Sequence, residues 1–351
     1  MSPPRLDQPF VDGSTTTPVG TAPHVSSTLR WMDRMGAWKA RWGIGRMTYA
    51  VDPGLYALGQ PGPDSHVFVT ANYKMSFDLL RQALPGFDAW ILVLDTKGIN
   101  VWCAAGKGTF GTDELVSRID AAGLTRVVSH RELILPQLGG PGVAAHEVKK
   151  RSDFRVIYGP VCASDLPAFL KNGLEATSAM RTKGFNMRER LVLVPIELVA
   201  ALKAAVPALA ALIILSFLLS GFSWSRMAEY AFVALAGLGM SILAGAVFTP
   251  LFLPWLPGRA FSTKGLVAGL IAVPLSILLA HTWYRLTAME ILVLAFSIPA
   301  MTAYLAMNFT GASTFTSLSG VRKEMRWALP LEIAGTAAAF LLWIVAVVAG
   351  G

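Results

Sequence analysis

The sequence predicts an α/β Rossmann-like domain of about 200 residues followed by an all-α bundle of about five transmembrane helices. Three observations predict this. Mean hydropathy is high at +0.51, and charged residues make up only 15 % of the 351-residue chain, short of what a soluble protein carries. The shortage is local: residues 201–351 hold eight Lys/Arg and four Asp/Glu, against 22 and 18 before them. Before residue 200, short β-rich runs alternate with helical ones, the pattern of a sheet layered with helices. The net charge of +8 divides evenly between the two parts, so neither carries the polybasic footprint of a nucleic-acid binder.

Residues 1–44 read as a disordered arm and an amphipathic segment. MSPPRLDQPFVDGSTTTPVGTAPH is rich in Pro, Ser, Thr and Gly and lacks the apolar core of a signal peptide. Trp31, Trp38 and Trp42 among Arg34, Lys39, Arg41 and Arg46 suit either a membrane surface or packing against the next domain. Residues 45–200 form the α/β domain. HVFVTA (66–71) is a β-branched strand, MSFDLLRQAL (75–84) a helix by its apolar spacing, and AWILVLDT (89–96) a strand buried on both faces. TDELVSRIDAAG (112–123) is a helix with Thr112 as its cap and Gly123 as its stop. RVVSHREL (126–133), FRVIYGP (154–160) and RLVLVPIE (190–197) supply further strands, with ASDLPAFLKNG (163–173) helical between the last two. Ligands of such sheets sit beyond the carboxyl ends of strands, here the loops at 70–76 and 97–110.

Residues 201–351 make the membrane part. Apolar runs lie at about 200–220, 228–252, 264–281, 288–308 and 328–349, each near the length that crosses the hydrocarbon. Arg188, Arg190, Lys203, Arg259, Lys264, Arg322, Lys323 and Arg326 fall on one side and only Arg226 and Arg285 on the other. The positive-inside rule then sets a multi-pass protein of the cytoplasmic membrane, its N-terminal domain inside and its C-terminus outside. Glu290, Glu332 and His281 fall near span ends, where interfacial positions explain them, so the bundle reads as an anchor or docking platform.

Chemistry concentrates after the strand that ends at Asp95. Asn100, Val101, Trp102, Cys103, Ala104, Ala105, Gly106, Lys107, Gly108 and Thr109 place a thiol among small residues, which let a flat, bulky ligand approach the backbone. A lone cysteine is also a common buried hydrophobe. The Gly-Lys-Gly-Thr run lacks the upstream glycine spacing of a phosphate loop and puts Gly108 where Ser or Thr belongs, so nucleotide binding is set aside. The only other cysteine, Cys162, is expected in core packing. His66, His130 and His146 have no spacing that singles one out as a ligand.

Asn100-Val101-Trp102-Cys103-Ala104-Ala105-Gly106-Lys107 resembles the signature of the mercury-methylating corrinoid proteins, which are membrane-bound. Val67 to Asp78 (VFVTANYKMSFD) resembles a second block of that family. The soluble domain of these proteins is related to the large corrinoid subunit of the acetyl-CoA-pathway iron–sulfur protein. The resemblance covers residues 45 to 200 and implies a corrinoid (cobalamin-type) cofactor with Cys103 as lower axial ligand of the cobalt. It implies that Thr70, Ser76, Asn100, Val101, Ala105, Gly106 and Thr109 line the lower face and tail of the cofactor. It further implies a methyltransferase that passes methyl from cobalt to Hg(II), where a donating thiolate opposite the methyl favours an electron-rich group. Implied partners are a small ferredoxin with two [4Fe–4S] clusters as electron donor and a folate-type methyl donor. Two rivals stand beside this reading. One is a corrinoid methyl carrier of acetyl-CoA-type one-carbon metabolism, against which the membrane bundle and the lack of cluster cysteines weigh. The other is a transporter or sensor whose soluble domain only binds a ligand.

Overall fold

The computed structural model describes residues 3–313 and 317–349, and the chain divides into two compact units, Met1–Lys183 and Gly184–Gly351. Among the described residues of the first unit, seven strands form one mixed sheet in the order β1-β2-β3-β5-β4-β6-β7. They are β1 (Val11–Thr17), β2 (Gly20–Val25), β3 (Gly54–Leu58), β4 (Val67–Ala71), β5 (Ala89–Leu94), β6 (Glu132–Leu135) and β7 (Arg155–Tyr158). Helices α1 (Trp31–Arg41), α2 (Lys74–Gln82), α3 (Val101–Lys107), α4 (Thr112–Ala121), α5 (Leu124–Val127), α6 (Ala145–Ser152) and α7 (Leu166–Lys171) cover it.

Strands β3, β4 and β5 are buried along their whole lengths, as continuous apolar runs demand when helices cover both faces. Alternation along them divides the core in two. Val67, Val69, Trp90, Leu92 and Leu94 face α3 to α6, while Phe68, Ile91 and Val93 face Phe77 and Leu80 of α2 and Phe169 of α7. β4 pairs in parallel with β5 on one side and with β6 on the other, so the winding reverses at β4. That reversal opens a crevice at the carboxyl ends of the strands.

The structure corrects several expectations. Residues 3–28 are no disordered arm: β1 and β2 form an antiparallel hairpin and β2 extends the sheet alongside β3. Helix α1 is held by its Asp33, which is buried with Lys74, Asp78 and Arg81. Lys74 Nζ donates to Asp33 at 2.7 Å and to Asp78 at 2.5 Å, and Arg81 donates to both carboxylates at 2.8 Å. RLVLVPIE is not a strand but part of a long helix, α8 (Met187–Leu219), started by a capping box between Asn186 and Glu189. A short apolar run does not reveal its own period, and here the cap decides. Within RVVSHREL the first residues turn as α5, and the strand begins only at Glu132. Thr112 does not cap α4: Gly111 takes that place, and the Thr112 hydroxyl accepts from the Ala144 N–H at 2.9 Å.

The second unit continues with α9 (Trp224–Ile242), which runs through a π-helical turn (Leu243–Phe248) into α10 (Thr249–Phe252). Then come α11 (Phe261–His281), α12 (Ala288–Asn308) and α13 (Leu318–Ala349). Among the described residues five helical segments are long and apolar enough to span a membrane. The chain is a multi-pass membrane protein. Glu290 sits where expected, at a helix end: it accepts from Thr287 N–H at 2.7 Å and Thr287 Oγ1 at 2.8 Å. Because α13 begins at Leu318, Glu332 lies about four turns inside the helix and about one turn into the apolar run that starts near residue 328.

Candidate cofactor-binding site

The site is assembled from the end of β4 outward. Asn72 follows the strand, and its buried side-chain oxygen accepts from Thr96 N–H at 3.0 Å, Thr96 Oγ1 at 2.8 Å and Gly98 N–H at 2.9 Å. The Thr96 hydroxyl also lies 2.6 Å from the Ile99 carbonyl. These bonds fold the turn after β5, where Lys97 and Gly98 take left-handed φ values of 58° and 70°. Lys97 pairs with Asp95 at 2.7 Å. Partial burial raises the Asp95 carboxyl, but its hydrogen bonds to Lys97 and that residue's charge outweigh this and hold it below the usual carboxylate range.

The turn delivers Asn100 as the cap of α3, its side chain accepting the backbone N–H of Cys103 at 2.9 Å. The segment expected to be a loop is therefore helical from Val101, and the helix has two unlike faces. Ala104 and Ala105 are buried in the core beside Phe110. Gly142 presses on them from the opposite loop, where a Cβ would meet the Phe110 carbonyl and come within 3.0 Å of Ala105 Cα. The outward face carries Cys103, Gly106 and Lys107, all exposed, and Gly108 ends the helix with a left-handed φ of 80°. Thr109 closes the end, its N–H bonding the Ala104 carbonyl at 3.0 Å. At Gly106 and Gly108 an added Cβ would meet nothing within 4 Å, so the surface around the Cys103 thiol is shallow and open.

Beside this face a cleft of about 290 Å³ opens beyond the ends of β4, β6 and β7. Thr70, Ser76, Asn100, Val101 and Trp102 line it, all five singled out in the sequence. Cys103, Gly106, Lys107 and Gly108 lie outside this lining on the exposed face, and Ala104 and Ala105 point into the core. Further walls come from Leu79 and Leu80 of α2, from Leu135–Pro136 and from Pro160–Val161, none of them singled out in the sequence as site residues. A proline directly after an apolar strand was the available signal. Asn72 was legible only as the residue that stops a strand.

Cys103 and Cys162 are both free thiols, Cys103 exposed and Cys162 half-buried in the turn before α7. His66 and His130 precede β4 and β6, at the amino ends of the strands and so at the edge opposite the cleft. Burial and the neighbouring His130 push the His66 imidazole below its ordinary value. The His130 ring nitrogen bonds the Ser65 carbonyl at 3.0 Å, and His146 is exposed on α6.

With this geometry in place, comparison with known proteins is specific for the first unit. The family model described as CO dehydrogenase/acetyl-CoA synthase delta subunit matches residues 42–170. Similar relatives include the acetyl-CoA decarbonylase/synthase complex subunit gamma of Methanopyrus kandleri, 32 % identical over 127 residues, 35 % of this chain and 27 % of the relative. The subunit of the same name from Archaeoglobus fulgidus is 29 % identical over 128 residues, 36 % of this chain and 27 % of the relative. That of Methanothermobacter thermautotrophicus is 31 % identical over 127 residues, with 36 % and 27 % covered. The chain thus spans about a quarter of the length of these relatives.

These matches overturn the mercury reading, both as a family resemblance and as an enzyme activity toward Hg(II). The matched proteins are named for acetyl-CoA chemistry. Both blocks that carried the mercury reading, 67–78 and 100–107, lie inside the matched range, so neither separates the two families. The membrane bundle that weighed against a one-carbon carrier lies outside that range.

Proposed function

We propose that this chain is a membrane-bound corrinoid-binding methyl carrier of one-carbon metabolism. The observation that carries the reading is an exposed, unpaired thiol on a small-residue helix face, beside an apolar cleft at the carboxyl ends of β4, β6 and β7. It lies within the segment similar to acetyl-CoA-forming subunits. Among the described residues no three or more His, Cys, Asp or Glu come together as a cage for an ion. The residues present fit a corrinoid ring: Gly106 and Gly108 leave open space at the thiol, where side chains would block a flat macrocycle.

When bound, a corrinoid supplies a cobalt centre that accepts and donates a methyl group. Cys103 would be the residue that holds that metal. Asn100 fixes its position by holding the Cys103 N–H, and the buried Asn72 fixes the turn that presents Asn100. Val101, Trp102 and the apolar cleft wall would exclude water from the bound group, and Thr70 and Ser76 would offer it hydroxyls. Gly106, Lys107, Gly108 and Thr109 would leave room for it beside the thiol, and Ala104 and Ala105 support the helix from beneath. With two cysteines the chain cannot supply the four thiolates of a cluster, so electrons come from a partner. A small ferredoxin with two [4Fe–4S] clusters suits that role, and a folate-type compound or its methyltransferase suits the methyl donor. The distribution of basic residues supports a cytoplasmic location for the first unit and an outside location for the C-terminus.

The test is the absorption spectrum of full-length protein purified from cells supplied with a corrinoid. A bound cobalt chromophore is expected, and Cys103→Ala should change its spectrum. Protein that carries no corrinoid would overturn the reading. An unchanged spectrum in the variant would remove Cys103 as ligand.

A further inference from the structure

The second unit contains a group that its spanning role leaves unexplained. Glu332, in the interior of α13, is 6 % exposed, and neither of its carboxylate oxygens has a hydrogen-bond partner. It borders two cavities. The larger, of about 700 Å³, lies between α8, α9, α12 and α13 and has a second carboxylate, Glu197, in its wall. The smaller, of about 290 Å³, includes Ser262, whose hydroxyl oxygen is likewise buried without a partner. Around the carboxylates the larger chamber is mostly hydrocarbon, with Ala201 and Ala205 forming a smooth face of α8 and Phe340 opposite. Thr336 does not relieve Glu332, because its hydroxyl donates to the Glu332 backbone carbonyl at 2.8 Å.

An acidic side chain in a spanning helix carries a heavy desolvation cost unless something donates to it. Two features choose among the candidate donors. The walls are mostly apolar, with Tyr304, Asn308 and Thr336 the polar groups beside the carboxylates, and among the described residues no third acid, His or Cys joins the two carboxylates to enclose a bare ion. The volume is that of a pocket for an organic molecule.

We propose that this chamber binds an amphiphile with a protonated amine head. The ammonium donates to Glu332, Glu197 adds a second negative charge, and the hydrocarbon tail lies along the alanine face of α8. Two sources share this chemistry: a bilayer lipid with an amino head group, and a free lipophilic amine.

The test uses full-length protein in phosphatidylcholine nanodiscs and radiolabelled dodecylamine, with dodecanol as an uncharged probe of equal length. Saturable uptake of one amine per chain, well above that of the alcohol, is expected. Glu332→Gln should weaken it at least tenfold, Glu197→Gln less, and Glu332→Asp should retain it. Equal uptake of amine and alcohol by the wild-type protein would overturn the proposal, a comparison that depends on no variant folding. So would unchanged amine binding in a folded Glu332→Gln protein. Repeating the titration with phosphatidylethanolamine in the discs separates the sources: competition identifies the lipid, and its absence identifies a free amine.

Discussion

Asn72 and Cys103 show how differently two residues contribute to one site. Asn72 is buried and accepts three hydrogen bonds that close the turn before α3. Asn72→Ala leaves those donors unsatisfied, and a loss of about 1–3 kcal/mol in unfolding free energy is expected, together with weaker corrinoid retention. Chemical denaturation and the cobalt content of the purified protein measure the two effects. Cys103 is exposed and its side chain makes no structural contact of this kind. Cys103→Ala should therefore stay within about 0.5 kcal/mol of wild type in denaturation while altering the bound chromophore. A large drop in stability would instead make the thiol a packing residue. The sequence makes Cys103 conspicuous because it stands among small residues just beyond the end of a strand. It leaves Asn72 obscure because the bonds of Asn72 run to residues 24 to 26 positions away, a distance no local pattern records.

Among elements, α3 and α1 are each set in place by one contact. For α3 it is the approach of Gly142 to Ala105, which leaves no room for a Cβ. Gly142→Ala should displace the helix and reduce corrinoid retention while the rest of the sheet folds; cobalt content set against far-ultraviolet circular dichroism distinguishes that result from general unfolding. For α1 the contact is Asp33 with Lys74 and Arg81. Burial raises the Asp33 carboxyl, but the two cations more than reverse this and hold it below its ordinary value. A group lowered in the folded state adds stability that is complete above its unfolded value, near pH 4, and is lost as pH falls through the folded value. Thermal unfolding should therefore shift to lower temperature as the pH falls below about 4, and Asp33→Asn should flatten that dependence. Strands β4 and β5 are legible in the sequence because they are continuous and apolar, and α2 and α4 because their spacing is helical. The β1–β2 hairpin escapes notice because VDGSTTT has few buried residues and both it and GTAPHV have the composition of a disordered arm. RLVLVPIE misleads for the opposite reason: it has the apolarity of a buried strand, and only the Asn186 cap places it in a helix.

At the scale of the whole chain, the membrane segments are the most legible feature, since length and hydropathy alone define a span. If all five helices found among the described residues cross, the first unit and the end of α13 lie on opposite faces of the membrane, as in the orientation proposed above. Both native cysteines lie in the first unit, which makes the orientation simple to test. In intact cells an impermeant thiol reagent should label Ser225→Cys, in the first turn of α9, and leave the wild-type protein unlabelled until the membrane is opened. The reverse pattern would invert the orientation. The buried cluster of Asp33, Lys74, Asp78 and Arg81 has one more consequence, for where this protein can be divided. The family-model match begins at residue 42, yet a fragment cut there would lose Asp33, one of the two carboxylates that Lys74 and Arg81 share, together with the helix that covers them. The limit of similarity and the limit of the packed unit fall in different places here, and any transplant of the proposed cofactor-binding module must take the α1 helix with it.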